Sequence, residues 1–205
     1  MTELLIAPEI AEYRMPVKLP YPPLTDDEFF DFCVSQPDDR RAERTAEGGV
    51  LIMANTGGET GSRNFEIVGQ FREWVRRDGR GVGFDSSTLF RLPNTAMRSP
   101  DVCWVHRSRL EKLDKRQRER FLPLCPDFVI ELTSPSDRLP DVQEKMAEWM
   151  ANGCQLGWLI HPVSREVHVY RGDGIEILSD LAKIEAAEPV NGFVLDLGPV
   201  WEPAW

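Results

Sequence analysis

Cys125-Pro126-Asp127-Phe128-Val129-Ile130-Glu131-Leu132-Thr133-Ser134-Pro135-Ser136-Asp137 holds a β-rich apolar run, 128–132, that stops at a Ser/Pro turn. One acid, Glu131, interrupts the run. A carboxylate in a buried strand is costly unless it is paired, hydrogen-bonded or bound to a cation. Downstream, Val142, Met146, Trp149 and Met150 recur at helical spacing, which predicts a helix over 139–152 with Gly153 as its stop. Gly157 to His161 and Glu166 to Tyr170 then read as a pair of strands.

Upstream lie three more strand-like runs, 81–84, 89–92 and 101–105. They follow a helical pattern built on Phe65, Ile67, Val68, Phe71, Trp74 and Val75. The Gly-rich stretch 56–61 lacks the Gly-Lys-Ser/Thr ending of a phosphate loop and reads as a turn. Residues 42–54 predict a hairpin turning at Glu47-Gly48-Gly49, and Thr25 with Glu28 forms a capping-box start for a helix ended by Pro37. Short strands are expected near 174–178 and 193–197. The five prolines of residues 1–23 suggest an extended arm over 1–24, ahead of a domain over 25–205 and lying on a partner subunit. The order is that of an α/β domain, with a mixed sheet flanked by helices.

Asp101 directly follows Pro100 at the start of its strand. Taken singly, Asp101 or Glu131 could be a strand-end carboxylate paired with an arginine or facing water. On neighbouring strands the two would repel each other unless a cation stood between them, and hard oxygen ligands suit Mg²⁺ or Mn²⁺. Lys145 lies three residues after Val142 and four before Trp149, so it borders the core-facing side of its helix. Its plain reading is a stem that covers apolar surface while the ammonium reaches water. Its functional reading is a cation that returns to the end of the strand carrying Glu131.

Ser99-Pro100-Asp101-Val102-Cys103-Trp104-Val105, the run 125–137, Lys145-Met146, Asn152-Gly153 and Gly157-Trp158-Leu159-Ile160 together resemble the Uma-type restriction endonuclease family, a branch of the PD-(D/E)xK nuclease superfamily. The likeness extends upstream to Glu43-Arg44-Thr45 and to Met53 through Glu59. It implies a restriction-endonuclease-like fold and a Mg²⁺-dependent DNA endonuclease. It also implies a metal held by Asp101 and Glu131 with the Leu132 carbonyl as a further ligand. In the superfamily pattern the lysine stands two residues after the strand acid, which here is Thr133, whereas the family places it on the following helix, at Lys145. A further family acid falls on Glu43, with Glu47 and Glu66 as other acids that could approach.

Bulk properties set bounds on this reading. The 205 residues suffice for one domain with a full core, 41% of them are hydrophobic, and no run of about 18 apolar residues could span a membrane. The start of the chain has no secretory pattern, and Cys33, Cys103, Cys125 and Cys154 lack zinc-ligand spacing; a cytoplasmic protein with reduced thiols is expected. The net charge of −10 would repel duplex DNA at long range, but the connection 107–120 carries Arg107, Arg109, Lys112, Lys115, Arg116, Arg118 and Arg120 and is locally +4. It is either a solvated charged helix or a contact to a DNA backbone. A homodimer is expected, since two cuts in a duplex call for two sites. Two other readings stay open: a catalytically silent DNA- or protein-binding module on the same fold, and a metal-dependent hydrolase of another phosphate ester.

Overall fold

The computed structural model describes residues 17–19, 23–35, 41–53 and 55–204. In chain order the N-terminal part forms β1 (Val17–Leu19), α1 (Asp26–Ser35), β2 (Arg41–Arg44), β3 (Val50–Met53) and α2 (Gly58–Asp78). The middle forms β4 (Gly81–Asp85), β5 (Phe90–Arg91), β6 (Met97–Arg98), β7 (Val102–His106), α3 (Arg107–Leu110) and α4 (Lys115–Arg118). There follow β8 (Phe128–Leu132), α5 (Leu139–Ala151), β9 (Leu156–His161), β10 (Glu166–Arg171) and β11 (Gly174–Ser179). The chain closes with β12 (Lys183–Glu185), β13 (Val194–Asp196) and α6 (Gly198–Trp201).

The central sheet has six strands in the order β11-β10-β9-β8-β7-β4. It is mixed because α5 carries the chain back over the sheet between β8 and β9, which pair in parallel, Ile130 beside Trp158. The other described pairings in this sheet are antiparallel. Alternate strand residues serve two cores. Val102, Trp104, Phe128, Ile130 and Trp158 pack with Ile67, Phe71 and Trp74 of α2 on one face. Cys103, Val105, Val129 and Leu159 pack with Met146 and Trp149 of α5 on the other. No helix of the described residues is long and apolar enough to cross a membrane.

A second, five-stranded sheet runs β1-β3-β2-β6-β5 around the β2–β3 hairpin, over a small core of Phe29, Ala42, Val50, Ile52 and Met97. The predicted strand 89–92 lies here as the two-residue β5, and β6 and β12 carried no clear pattern in the sequence. Val17–Leu19 pairs with β3 as an edge strand; the rest of the predicted arm up to residue 22 lies outside the described residues, as do Pro37 and Asp38. Thr25 and Glu28 make both capping-box bonds, with the Thr25 N–H donating to Glu28 Oε2 at 2.8 Å and the Glu28 N–H to Thr25 Oγ1 at 3.3 Å.

Two expectations are corrected around α2. The glycines at 58 and 61 belong to the helix itself, which starts at Gly58 rather than after a turn ending at 61. Phe65 is 77% exposed and not on the apolar stripe; Asn64, three residues before Ile67, takes the inward position. The main chain of Gly81 lies so close to Trp104 that a Cβ there would fall 2.1 Å from the indole Cε2. Gly81→Ala is therefore expected to destabilise the protein by about 1–3 kcal/mol. An unchanged urea midpoint would show that the indole moves aside at no cost.

Candidate active site

The antiparallel pairing of β7 and β8 brings the start of one strand beside the end of the other, with Val102 opposite Ile130. One step further in this register sets Asp101 across from Glu131. Asp101 precedes β7 and is held by its neighbours: Oδ2 accepts from the Leu132 N–H at 2.8 Å, and Oδ1 from Asn64 Nδ2 at 3.4 Å. Glu131 is buried, and its Oε1 accepts from the Trp149 indole N–H at 2.8 Å.

Lys145 reaches this edge from α5. Its ammonium lies 3.0 Å from Glu131 Oε1 and 2.9 Å from Glu43 Oε1, and donates to the Ser99 carbonyl at 2.7 Å. Three acceptors match its three protons, so the ammonium is not the solvated end of a surface stem; the side chain is 15% exposed. Glu43 comes from β2 of the second sheet, where it also accepts from the Ser99 N–H at 3.1 Å and from Arg98 Nη1 at 3.0 Å. Arg98 in turn pairs with Glu148 on α5, which ties the hairpin sheet to the helix that carries Lys145. Glu43, Asp101, Glu131 and Lys145 are thus brought together. Glu47 sits in the turn of the hairpin, and from α2 it is Asn64, not Glu66, that touches Asp101.

Four carboxylates, Glu43, Asp101, Glu131 and Glu148, face two cations, Lys145 and Arg98. The shortfall in positive charge falls on the two strand acids. Burial pushes the Glu131 carboxyl up to about 7; Lys145 opposes this, and Asp101 and Glu43 add to it. Burial also raises Asp101, against the Leu132 N–H and Lys145. Glu43 is lower than an ordinary glutamate despite its burial, because it draws on both Lys145 and Arg98. Burial disfavours the charged Lys145, but Glu131, Glu43 and Asp101 outweigh it and hold the ammonium protonated.

Do these residues suit a divalent cation? Among the described residues, no three His, Cys, Asp or Glu side chains form a ready metal cage. Lys145 stands between Glu43 and Glu131, which leaves Glu43 a partner of the lysine. Asp101 and Glu131 remain as two adjacent carboxylates that are short of positive charge. One or two carboxylates, completed by water and substrate phosphate, is the ordinary donor set for Mg²⁺. The residues fit. The thiols do not compete: all four cysteines are free, and burial pushes Cys125 up to about 12 and Cys103 and Cys154 well above the usual thiol range.

Thr133, at the superfamily's lysine position, places its hydroxyl 2.7 Å from His161 Nδ1 and so supplies no charge. The basic connection is not at this edge. It leaves β7 at His106, about 17 Å along the strand from Asp101. There it forms two short helices whose charges are largely engaged within the chain. Arg109 pairs with buried Asp127 and Lys115 with Glu119, Arg116 and Arg120 pair with Asp27, and Arg120 also lies 4.1 Å over the Phe30 ring. Trp149, Arg98, Ser99 and Asn64 are the site residues that sequence reasoning missed. Trp149 lies one turn after Lys145, a spacing that could have suggested a shared target, but an indole on an apolar stripe reads first as core.

The family model Uma2, described as "Putative restriction endonuclease", matches residues 26–198. The crystal structure of "a putative nuclease belonging to DUF820" from Anabaena variabilis ATCC 29413 is similar with a TM-score of 0.71 at 20% identity. The alignment covers 87% of this chain and 98% of that one, and at such identity the likeness concerns the fold alone. No curated protein matches.

Proposed function

This chain belongs to the Uma2 restriction endonuclease family, and from that premise we propose that it is a Mg²⁺- or Mn²⁺-dependent DNA endonuclease with Asp101, Glu131 and Lys145 at its centre. The observation that carries the reading is the juxtaposition of two charge-starved carboxylates with an ammonium 3.0 Å from one of them, at the end of a mixed sheet. An ion pair built only for stability would not need the second acid.

In this reading Asp101, Glu131 and the Leu132 carbonyl would hold the cation. When bound, it supplies Lewis acidity, which makes water nucleophilic near neutral pH and stabilises charge on the phosphoryl oxygens. The chain does the rest. Trp149 fixes the orientation of Glu131 through Oε1, which leaves Oε2, met among the described residues only by Lys145 at 3.3 Å, the freer oxygen. The Leu132 N–H fixes Asp101. Lys145 stays protonated, so its role is to stabilise negative charge on the phosphate, not to take a proton. With Glu131 engaged elsewhere, Lys145 keeps Glu43 and Ser99 as anchors and has one donor for the substrate.

A homodimer in the cytoplasm, presenting two such centres to one duplex, completes the proposal. The test is plasmid cleavage by the metal-stripped protein with added Mg²⁺, Mn²⁺ or EDTA. Nicking or linearisation that needs the cation is expected. DNA bound but never cut would favour a silent binding module, and cleavage undiminished by EDTA would overturn the metal dependence.

A further inference from the structure

Asn64 continues the buried stripe of α2 towards the sheet edge: counting from it, Ile67, Val68 and Phe71 follow at helical spacing and pack in the core. An asparagine at the end of such a stripe faces inward and must satisfy its amide there. The side-chain nitrogen does so, donating to Asp101 Oδ1 at 3.4 Å. This contact also sets which way the amide points, since the reverse orientation would press its oxygen against a carboxylate. The oxygen Oδ1 therefore gains nothing from Asp101, and it is buried out of reach of solvent with no hydrogen-bond partner. Buried amide oxygens ordinarily find a donor. Here the unsatisfied acceptor belongs to the same amide that holds Asp101.

We propose that Asn64 is part of the divalent-cation site, its Oδ1 serving as an oxygen donor to the ion while its Nδ2 keeps Asp101 aligned. The proposal rests on the metal-dependent reading above and extends it: with Asn64 the oxygen donors come from the residue before β7, from β8 and from α2, so the cation would join the sheet edge to the helix packed on that face. A neutral amide is a suitable addition, because a third acid beside Asp101 and Glu131 would repel both in the metal-free protein.

The test is Mn²⁺ titration of the metal-stripped full chain by calorimetry, with melting temperatures measured in parallel, on the parent, Asn64→Ala, Asn64→Asp and Glu131→Gln. The parent is expected to bind Mn²⁺ and Glu131→Gln to lose it. Asn64→Ala should weaken binding by about 10- to 100-fold, the range for residues that support a metal's ligands. Asn64→Asp should melt below the parent without metal and recover with Mn²⁺, a rescue that a purely structural asparagine would not show. If both Asn64 variants bind Mn²⁺ like the parent while Glu131→Gln does not, the site stands and Asn64 is no part of it. If the parent takes up no Mn²⁺, the metal-dependent reading falls and this inference with it. Should Asn64→Ala fail to fold, an Asn64→Asp protein that Mn²⁺ does not stabilise would equally overturn the proposal.

Discussion

Glu131→Gln is expected to abolish cation-dependent DNA cleavage and, above pH 7, to yield a protein more stable than the parent. The loss of cleavage follows from the ligand chemistry, because a neutral amide binds a hard cation weakly. The gain in stability follows from the carboxyl itself, which titrates at about 7 in the folded chain against an ordinary 4.5. An acid raised in this way favours folding below its unfolded value, and that contribution is lost as pH rises from about 4.5 to about 7. A shift of this size corresponds to roughly 3 kcal/mol at most, part of it offset because Lys145 loses a charged partner. The amide oxygen still accepts from Trp149 and Lys145. Urea unfolding at pH 5 and pH 8, without metal, measures the effect: the parent should weaken across this interval and the variant should weaken less. Equal slopes would mean that Glu131 is not the group under strain, and undiminished cleavage would place the nuclease centre elsewhere.

Lys145→Met carries the second large effect, on stability as well as on rate. Read as a stem over apolar surface, the residue would tolerate the change, since methionine keeps most of the stem. The structure overrules that expectation: the ammonium is buried between Glu43, Glu131 and the Ser99 carbonyl. Removing one member of a buried charge network leaves the others unpaired and costs about 3–5 kcal/mol. For a domain of this size that lowers the melting temperature by roughly 6–20 °C. The deficit should shrink at low pH, where Glu43 and Glu131 can take up protons. It should shrink also with Mn²⁺, which replaces the missing charge at Glu131. Cleavage should fall by about 10²–10³ under conditions where the variant is folded. A variant that melts with the parent at pH 8 would show that Lys145 does not carry the charge balance of this edge.

Much of the candidate site was legible before the fold was known. Glu131 stands out because a carboxylate inside Phe128-Val129-Ile130 and Leu132 is costly unless it is paired, hydrogen-bonded or bound to a cation. Asp101 and Lys145 stand out by position, one opening a strand and the other bordering an apolar helix face. The pattern they share with a nuclease family then ties the three together. The Thr25/Glu28 cap and the Gly48-Gly49 hairpin turn were equally plain, because their bonds run between residues three or four apart.

Local periodicity states which side of an element is apolar, and here it did so for α5 and β8. It is silent on strand order and direction, and three features of the site depend on those. The antiparallel pairing of β7 with β8 puts Asp101 beside Glu131 and sends the basic segment to the opposite end of the sheet. The second sheet lends Glu43 from far away in the chain, together with Arg98, which stands just ahead of Asp101. At α2, Phe65 and Asn64 are adjacent, and hydrophobicity assigns the inward place to the phenylalanine. The packed structure gives it to Asn64, because the helix meets the sheet at a polar edge, where Asp101 takes up the amide hydrogen. The sequence by itself determined the elements and the acids that strain them. Tertiary pairing decided which distant polar groups answer that strain, because an unmatched charge is satisfied by whatever lies nearest in space, and chain position says little about that.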